Sequence, residues 1–120
     1  DVHLEYYAIV GGCSASHQFC TVGRHAMVGG MCKIRQDIPP FMLCDMSEGT
    51  MKVIGVNVVG LTRRGMAKDS IQALKEAHRF IYREGLNRSQ ALDRVEHDIE
   101  QCEEIKALVK FYRNSQRGVA

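Results

Sequence analysis

Residues 4–39 read LEYYAI VGGCSA SHQFCT VGRHAM VGGMCK IRQDIP when they are divided into groups of six. The first place of these hexads is aliphatic in five of six units, and the fifth place is small in all but the last. This pattern is typical of a solenoid in which each hexad forms one flat side of a coil. Three hexads would close one triangular turn, so residues 4–21 and 22–39 are predicted to form two stacked coils.

A short β-meander with glycine turns is the alternative interpretation of this stretch. Tight hairpins favour Asn-Gly or Asp-Gly at their tips, and neither dipeptide occurs in residues 4–39. The solenoid is therefore the prediction. Because a solenoid needs about three or more repeat units for stability, we expect further coils upstream of Asp1.

Composition narrows the class of protein. The 120 residues carry a formal net charge of +2 with a pI near 8.4, which argues against a nucleic-acid footprint over the whole molecule. No apolar run approaches the roughly 18 residues that a membrane-spanning helix requires, and no basic segment leads into an apolar one as in a leader peptide. A cytoplasmic protein is the expectation.

The cysteines do not indicate a metal site. None of them forms a C-x-x-C pair, so neither a disulfide framework nor a usual zinc clip is predicted. The hexad phase turns Cys13 outward and Cys20 inward, so these two thiols cannot converge on one tetrahedral ion with His17. We predict no metal and no cofactor.

The hexad period ends at Pro39-Pro40, because two residues without an N–H cannot continue a hydrogen-bonded ladder. We therefore assign residues 1–40 to the end of the solenoid. Residues 41–56 are predicted to be a connecting segment, and residues 57–120 a helical domain.

Apolar stripes at spacings of three and four predict three short helices in the last segment. Gly85 stands where the first helix would stop, and Asn87 with Gln90 resembles a capping pair before the second. A frayed tail is expected from Asn114 onward. The stripes are Ile71, Leu74, His78 and Ile81, then Leu92, Val95, Ile99 and Cys102, then Ile105, Leu108, Val109 and Tyr112.

A set of short motifs gives the chain a family resemblance. They are YAIVGG at 7–12, SHQF at 16–19, AMVGG at 26–30, DIPP at 37–40, GVN at 55–57 and GLTRRG at 60–65. In this order they resemble the carboxyl-terminal portion of bacterial acyl-[acyl-carrier-protein]:UDP-N-acetylglucosamine O-acyltransferases. Those enzymes are the hexapeptide-repeat acyltransferases of lipid A synthesis.

The resemblance implies a left-handed parallel β-helix of about two terminal coils, followed by a small three-helix α domain, in a homotrimer. It implies transfer of a 3-hydroxyacyl group from acyl carrier protein to the 3-hydroxyl of UDP-N-acetylglucosamine, the first step of lipid A biosynthesis. The family's general base is a histidine paired with an aspartate on an upstream coil. We therefore expect it upstream of Asp1, and we expect this chain alone to be inactive.

The resemblance also assigns roles in the predicted coils. It makes His17 and Gln18 substrate contacts around the acyl and sugar groups, although a lone outward histidine is usually a solvated surface residue. It places Gly30 at the end of the acyl-chain groove. The alternative for Gly30 is a glycine that only relieves a turn.

Residues after the coils, most of them basic, receive two further roles. The resemblance places Asn57, Arg63 and Arg64 at the nucleotide, where paired guanidiniums can grip phosphate oxygens. Lys75, Arg79 and Arg83 recur every four residues on one face of the first predicted helix, where they would dock an acidic carrier protein. Ordinary solvated charges are the alternative for both groups.

Two other functions remain open from sequence. One is a non-catalytic trimerising or carrier-docking module that has kept the fold. The other is a hexapeptide acyltransferase that acts on a different acceptor.

Overall fold

The computed structural model describes residues 3–5, 7, 9–10, 20–29, 34–47 and 50–120. Three candidate site residues, His17, Gln18 and Gly30, lie outside the described residues. Their predicted roles therefore stay predictions. The predicted outward orientation of Cys13 falls outside the described residues as well.

The described part of the hexad region contains four two-residue strands. They are β1 (His3–Leu4), β2 (Ile9–Val10), β3 (Thr21–Val22) and β4 (Met27–Val28). Strand β1 pairs in parallel with β3, and β2 with β4, and each pair joins residues 18 positions apart. A coil of three hexads predicts this step. The β-meander alternative requires antiparallel neighbours and is wrong for these strands.

The inward places of the described hexads form a buried interior. Leu4 differs, with 53% of its surface exposed, because no other coil in the described part of the chain covers its far side. The residues that are at most 1% exposed are Val22, Val28 and Ile34 at the first place, and Cys20, Ala26 and Ile38 at the fifth.

The parallel stack continues past the two prolines. Strand β5 (Met42–Ser47) pairs in parallel with β4, with residues now 16 positions apart. The expected end of the ladder at Pro39-Pro40 is thus wrong by one strand, because the prolines lie in the turn before β5, where no ladder N–H is needed. Gly23 makes room for this turn, since a Cβ there would lie 2.5 Å from the Pro40 nitrogen.

Within the predicted connecting segment, residues 42–47 and 50–56 form strands β5 and β6. Strand β6 (Thr50–Val56) pairs antiparallel with β5. The described strands make a two-stranded sheet, β1-β3, and a four-stranded sheet in the order β2-β4-β5-β6. Cys44 and its partner Val53 face inward and extend the core of the coils.

Four helices follow the strands. The first, α1 (Val58–Arg63), is short and was not predicted from the sequence. The three predicted helices are α2 (Lys68–Tyr82), α3 (Arg88–Asp98) and α4 (Glu103–Asn114). Helix α2 packs against α3, α4 and β6, so it joins the helices to the strands. Among the described residues, no helix is long and apolar enough to span a membrane.

The predicted stripes face the helical core. Each member is buried, except that Ile99 and Cys102, which flank the break between α3 and α4, are partly exposed. The capping pair is confirmed: the Asn87 side chain accepts from the Gln90 N–H at 2.8 Å, and the Gln90 side chain accepts from the Asn87 N–H at 3.1 Å. Such reciprocal bonds fix the start of α3.

Residues 115–120, here called the C-terminal strap, pack against the coils. The Asp37 N–H donates to the Gly118 carbonyl at 3.0 Å, and the Ala120 N–H donates to the Asp37 carbonyl at 2.9 Å. The Ser115 hydroxyl donates to the Asp37 carboxylate at 2.6 Å. The expected frayed tail is therefore wrong, because the strap adds backbone hydrogen bonds at a coil edge.

Candidate functional site

Three aromatic rings from three turns lie next to one another in a row. Tyr7, His25 and Phe41 all have left-handed backbones, with φ of 58°, 58° and 68°. The ring centroids are 5.1 Å apart for Tyr7 and His25, and 5.9 Å apart for His25 and Phe41. These residues occupy equivalent places because 18 and then 16 positions separate them, as in the paired strands. We call the three residues the corner ladder.

Asn57 joins the corner ladder to helix α1. Its side-chain nitrogen donates to the His25 carbonyl at 3.0 Å, and its backbone N–H donates to the Phe41 carbonyl at 2.8 Å. Its side-chain oxygen accepts from the Gly60 N–H at 3.3 Å and so caps α1. Only 8% of Asn57 is exposed. The side chain is therefore held in one orientation by the backbone on both sides.

The two adjacent arginines lie at the end of α1 and differ in their surroundings. The Arg64 guanidinium carbon lies 3.8 Å from the centroid of the Tyr7 ring, which is a close cation–π contact. Both arginines are exposed, but Arg63 makes no ion pair or ring contact with the described residues. At the end of helix α1, the Arg64 guanidinium is thus anchored by a ring contact, and the Arg63 guanidinium is not.

The middle of the ladder is uncharged at neutral pH. Burial lowers the pKa of His25 from its ordinary value of 6.5, and the positive charges of Arg24 and Arg64 lower it further. A neutral imidazole can stack between rings without repelling the nearby guanidiniums. The Arg24 guanidinium lies over the Phe41 ring at 5.1 Å from the centroid. The ring at each end of the ladder therefore contacts an arginine.

A cleft of about 370 Å³ separates the coils from helix α4. Glu5, Arg24 and Asp37 line it on the coil side, and Lys110 and Phe111 on the helix side. This cleft was not predicted from the sequence, because its two walls are at least 70 residues apart along the chain. The mixed charges of its lining favour neither an anion nor a cation.

The basic stripe lies on helix α2, as its spacing predicts. Lys75, Arg79 and Arg83 are all exposed. Arg79 forms ion pairs with Glu76 at 2.9 Å and Glu84 at 2.8 Å, so its charge is compensated locally. The stripe therefore presents two uncompensated cations at its ends rather than three in a row.

The structure brings only some of the candidate residues together. Asn57 and Arg64 meet at the corner ladder, and Arg63 adjoins them in sequence. The basic stripe is a separate surface on α2. The sequence analysis did not identify Tyr7 and His25 as site residues. Their rings occupy the same place of hexads 18 residues apart, and this pattern could have indicated that they lie side by side.

Comparisons with known proteins identify the family of this chain. Residues 37–120 match the family model described as Udp N-acetylglucosamine O-acyltransferase, Domain 2. An acyl-[acyl-carrier-protein]–UDP-N-acetylglucosamine O-acyltransferase of Aliivibrio salmonicida is 38% identical over 119 residues, or 98% of this chain. Its counterpart from Aliivibrio fischeri is 37% identical over the same length. The chain spans 44% of the length of each of these relatives.

Solved structures give the same result. A UDP-N-acetylglucosamine acyltransferase from Bacteroides fragilis superposes with a TM-score of 0.94 at 37% identity, covering 99% of this chain and 46% of that one. The corresponding protein from Acinetobacter baumannii gives 0.90 at 33% identity, with 99% and 46% covered. On its sequence and on its fold, this chain belongs to the UDP-N-acetylglucosamine O-acyltransferase family.

Proposed function

We propose that the full protein containing this chain transfers a 3-hydroxyacyl group from acyl carrier protein to the 3-hydroxyl of UDP-N-acetylglucosamine, as the first step of lipid A biosynthesis. The observation that carries the proposal is likeness in both sequence and fold over nearly the whole chain, at 37% identity and a TM-score of 0.94. A cytoplasmic location fits these substrates.

The proposed chemistry is acyl transfer from a thioester to a sugar hydroxyl. A histidine upstream of Asp1 would take the proton of the 3-hydroxyl as the oxygen attacks the thioester carbonyl. The new C–O bond forms, the C–S bond breaks, and the proton passes to the leaving thiol of the carrier. The described residues would supply binding and orientation rather than proton transfer.

The nucleotide end of the proposed site is the corner ladder with its arginines. Arg64, already held at Tyr7, and Arg63 beside it would bind the diphosphate through charge-assisted hydrogen bonds. Asn57 would contribute mainly by fixing the start of α1, since its side chain is engaged on both sides. His17 and Gln18 remain proposed contacts for the acyl and sugar groups, and Gly30 remains the proposed end of the acyl pocket.

We propose a left-handed β-helix that assembles as a homotrimer, with active sites between subunits. An apolar face on the outside of the four-stranded sheet supports this assembly. Met27 and Ile54 are 39% and 50% exposed, and partly exposed Leu43 lies between them on the intervening strand. We expect Ile54→Lys to lower the sedimenting mass of the full protein, whereas Gln72→Lys on α2 should leave a trimer intact.

The activity is tested directly by product formation. The full protein is incubated with a 3-hydroxyacyl carrier protein and either UDP-N-acetylglucosamine or UDP-glucose, and products are identified by mass spectrometry. A product heavier by one hydroxyacyl group, formed only with UDP-N-acetylglucosamine, is the expected result. Acylation of UDP-glucose alone would indicate a different acceptor, and no product with either sugar would indicate a non-catalytic module.

A further inference from the structure

The anchored position of Arg64 has a definite cause in the corner ladder. Its guanidinium lies over the Tyr7 ring, whose centroid is 3.8 Å from the guanidinium carbon. The Tyr7 ring in turn packs against the His25 ring at a tilt of 37°, and His25 stacks on Phe41. The cation thus rests on a column of rings that begins in the buried core, since Phe41 is fully buried.

A guanidinium that packs one face against an aromatic ring can still donate hydrogen bonds to a ligand. Its N–H donors lie in the plane of the group, so stacking one face on a ring leaves the edges open to an anion. A free arginine side chain must give up rotamer freedom when it binds a ligand, and an anchored one gives up less. Arg64 is therefore pre-organised by its ring contact, whereas Arg63, equally exposed, has no such contact among the described residues.

The backbone at Tyr7 strengthens this arrangement. A φ of 58° is uncommon for a residue other than glycine, and it recurs at His25 in the next coil. The left-handed conformation turns the chain at the corner and aims both side chains along the same side. Because burial lowers the pKa of His25, the ring beneath Tyr7 is neutral and does not repel Arg64.

We propose that Tyr7 is a positioning residue that holds the Arg64 guanidinium ready for the diphosphate of the nucleotide substrate. This inference rests on the proposed function. Tyr7 acts through Arg64 and does not itself touch the reacting atoms. The aromatic ring is the part of Tyr7 that contacts the Arg64 guanidinium.

Nucleotide affinity of the full protein tests the inference. We expect Tyr7→Leu to raise the dissociation constant of UDP and the KM for UDP-N-acetylglucosamine by about two- to fivefold, the size of one exposed cation–π contact, with kcat retained. Tyr7→Phe keeps the ring and should therefore lose less UDP affinity than Tyr7→Leu. A defect that only disturbed folding would lower the active fraction, and hence kcat, without this pattern.

A double-mutant cycle separates anchoring from general damage. In an Arg64→Ala background, Tyr7→Leu should weaken UDP binding no further, because the residue it positions is gone. In the matched Arg63→Ala background, its effect should remain at full size. If Tyr7→Leu does not fold, Tyr7→Asn replaces it, since asparagine adopts positive φ readily and lacks the ring.

Three results would overturn the inference. They are unchanged UDP affinity in Tyr7→Leu, an equal loss in Tyr7→Phe, or an undiminished loss when Arg64 is already alanine. Failure of the proposed function looks different, because the wild-type protein itself would then neither bind UDP nor form product, and the inference would fall with it.

Discussion

The side-chain nitrogen of Asn57 lies 3.0 Å from the backbone carbonyl oxygen of His25, 32 residues earlier in the chain. The same side chain caps helix α1 through the Gly60 N–H. One buried amide thus fixes the start of α1 on a coil corner. The arginine pair at the other end of this short helix takes its position from that bond.

The stability of Asn57 variants tests this connection between the coil corner and helix α1. We expect Asn57→Ala to lower the free energy of unfolding by about 2 kcal/mol, because it loses an N-cap and removes the donor to the partly buried His25 carbonyl. Asn57→Ser keeps a capping oxygen but is too short to bond His25, so it should lose about half as much. Urea unfolding followed by circular dichroism gives both values. Equal stability of Asn57→Ala and wild type would contradict the assignment.

Gly60 is required by the same cap. A Cβ at this position would lie 2.5 Å from the Asn57 side-chain nitrogen, so Gly60→Ala should be destabilising although alanine favours helices. In an Asn57→Ala background the obstruction is gone, and Gly60→Ala should become stabilising by up to about 1 kcal/mol. A Cβ at Gly55 meets nothing within 4 Å, which makes Gly55→Ala the matched control. If Gly60→Ala changed the stability in the same direction in wild type and in Asn57→Ala, this explanation would be excluded.

Acid should destabilise the helical core through His78. This residue is 9% exposed, and burial, with Arg83 nearby, lowers its pKa from the ordinary 6.5. As pH falls below about 6.5, the unfolded chain takes up a proton that the folded chain does not, so the free energy of unfolding decreases until the folded pKa is reached. Above that range both forms are neutral, and the effect is absent.

The histidine effect is measured as stability against pH. We expect His78→Leu to flatten the decline between about pH 7 and pH 5, leaving the part contributed by His25, whose pKa is lowered in the same direction. His97 is exposed on α3, so His97→Gln is the control and should retain the decline. An unaltered slope in His78→Leu would show that another group is responsible.

Ser115 holds the C-terminal strap to the coils. Asp37 is 7% exposed, and its carboxylate accepts from the Ser115 hydroxyl at 2.6 Å and the Thr21 N–H at 2.8 Å. We expect Ser115→Ala to cost about 1–3 kcal/mol, because a buried charged acceptor loses a partner. Ser89→Ala, on the exposed face of α3, should stay within about 0.5 kcal/mol of wild type. Equal thermal midpoints for both variants would contradict this role.

The ends of the basic stripe should matter more than its centre for carrier docking. Arg79 is already paired with Glu76 and Glu84, so Arg79→Gln should change the KM for acyl carrier protein less than Lys75→Gln or Arg83→Gln. The loss in the two end variants should shrink as salt is raised, since exposed charges are screened. If Arg79→Gln changed this KM most, or if none of the three variants changed it, the stripe would be an ordinary solvated face with no role in docking.

The hexad phase predicted which coil residues are buried because it depends only on local alternation. Val22 and Ala26 lie at the inward places that the period assigns to them, and both are fully buried. Asn87 and Gln90 were recognised as a cap for the same reason, since their bonds span three residues. Features fixed within one repeat or one helical turn can be read from the sequence.

The full corner ladder could not be predicted from the sequence, because the number of residues per coil changes. Tyr7 and His25 share the fourth place of hexads, but the next coil advances by 16 residues, which shifts Phe41 out of phase. The strap contact between Ser115 and Asp37 spans 78 positions and leaves no local pattern. Helix α1 has six residues, too few for a clear stripe.

Calorimetric titration of the full protein with UDP tests the central claim most directly, namely that Arg64 on the corner ladder binds the nucleotide. We predict that Arg64→Ala weakens UDP binding by about tenfold or more, as expected for lost charge-assisted hydrogen bonds, while Arg94→Ala on α3 binds as wild type does. Equal dissociation constants for wild type and Arg64→Ala would contradict the claim.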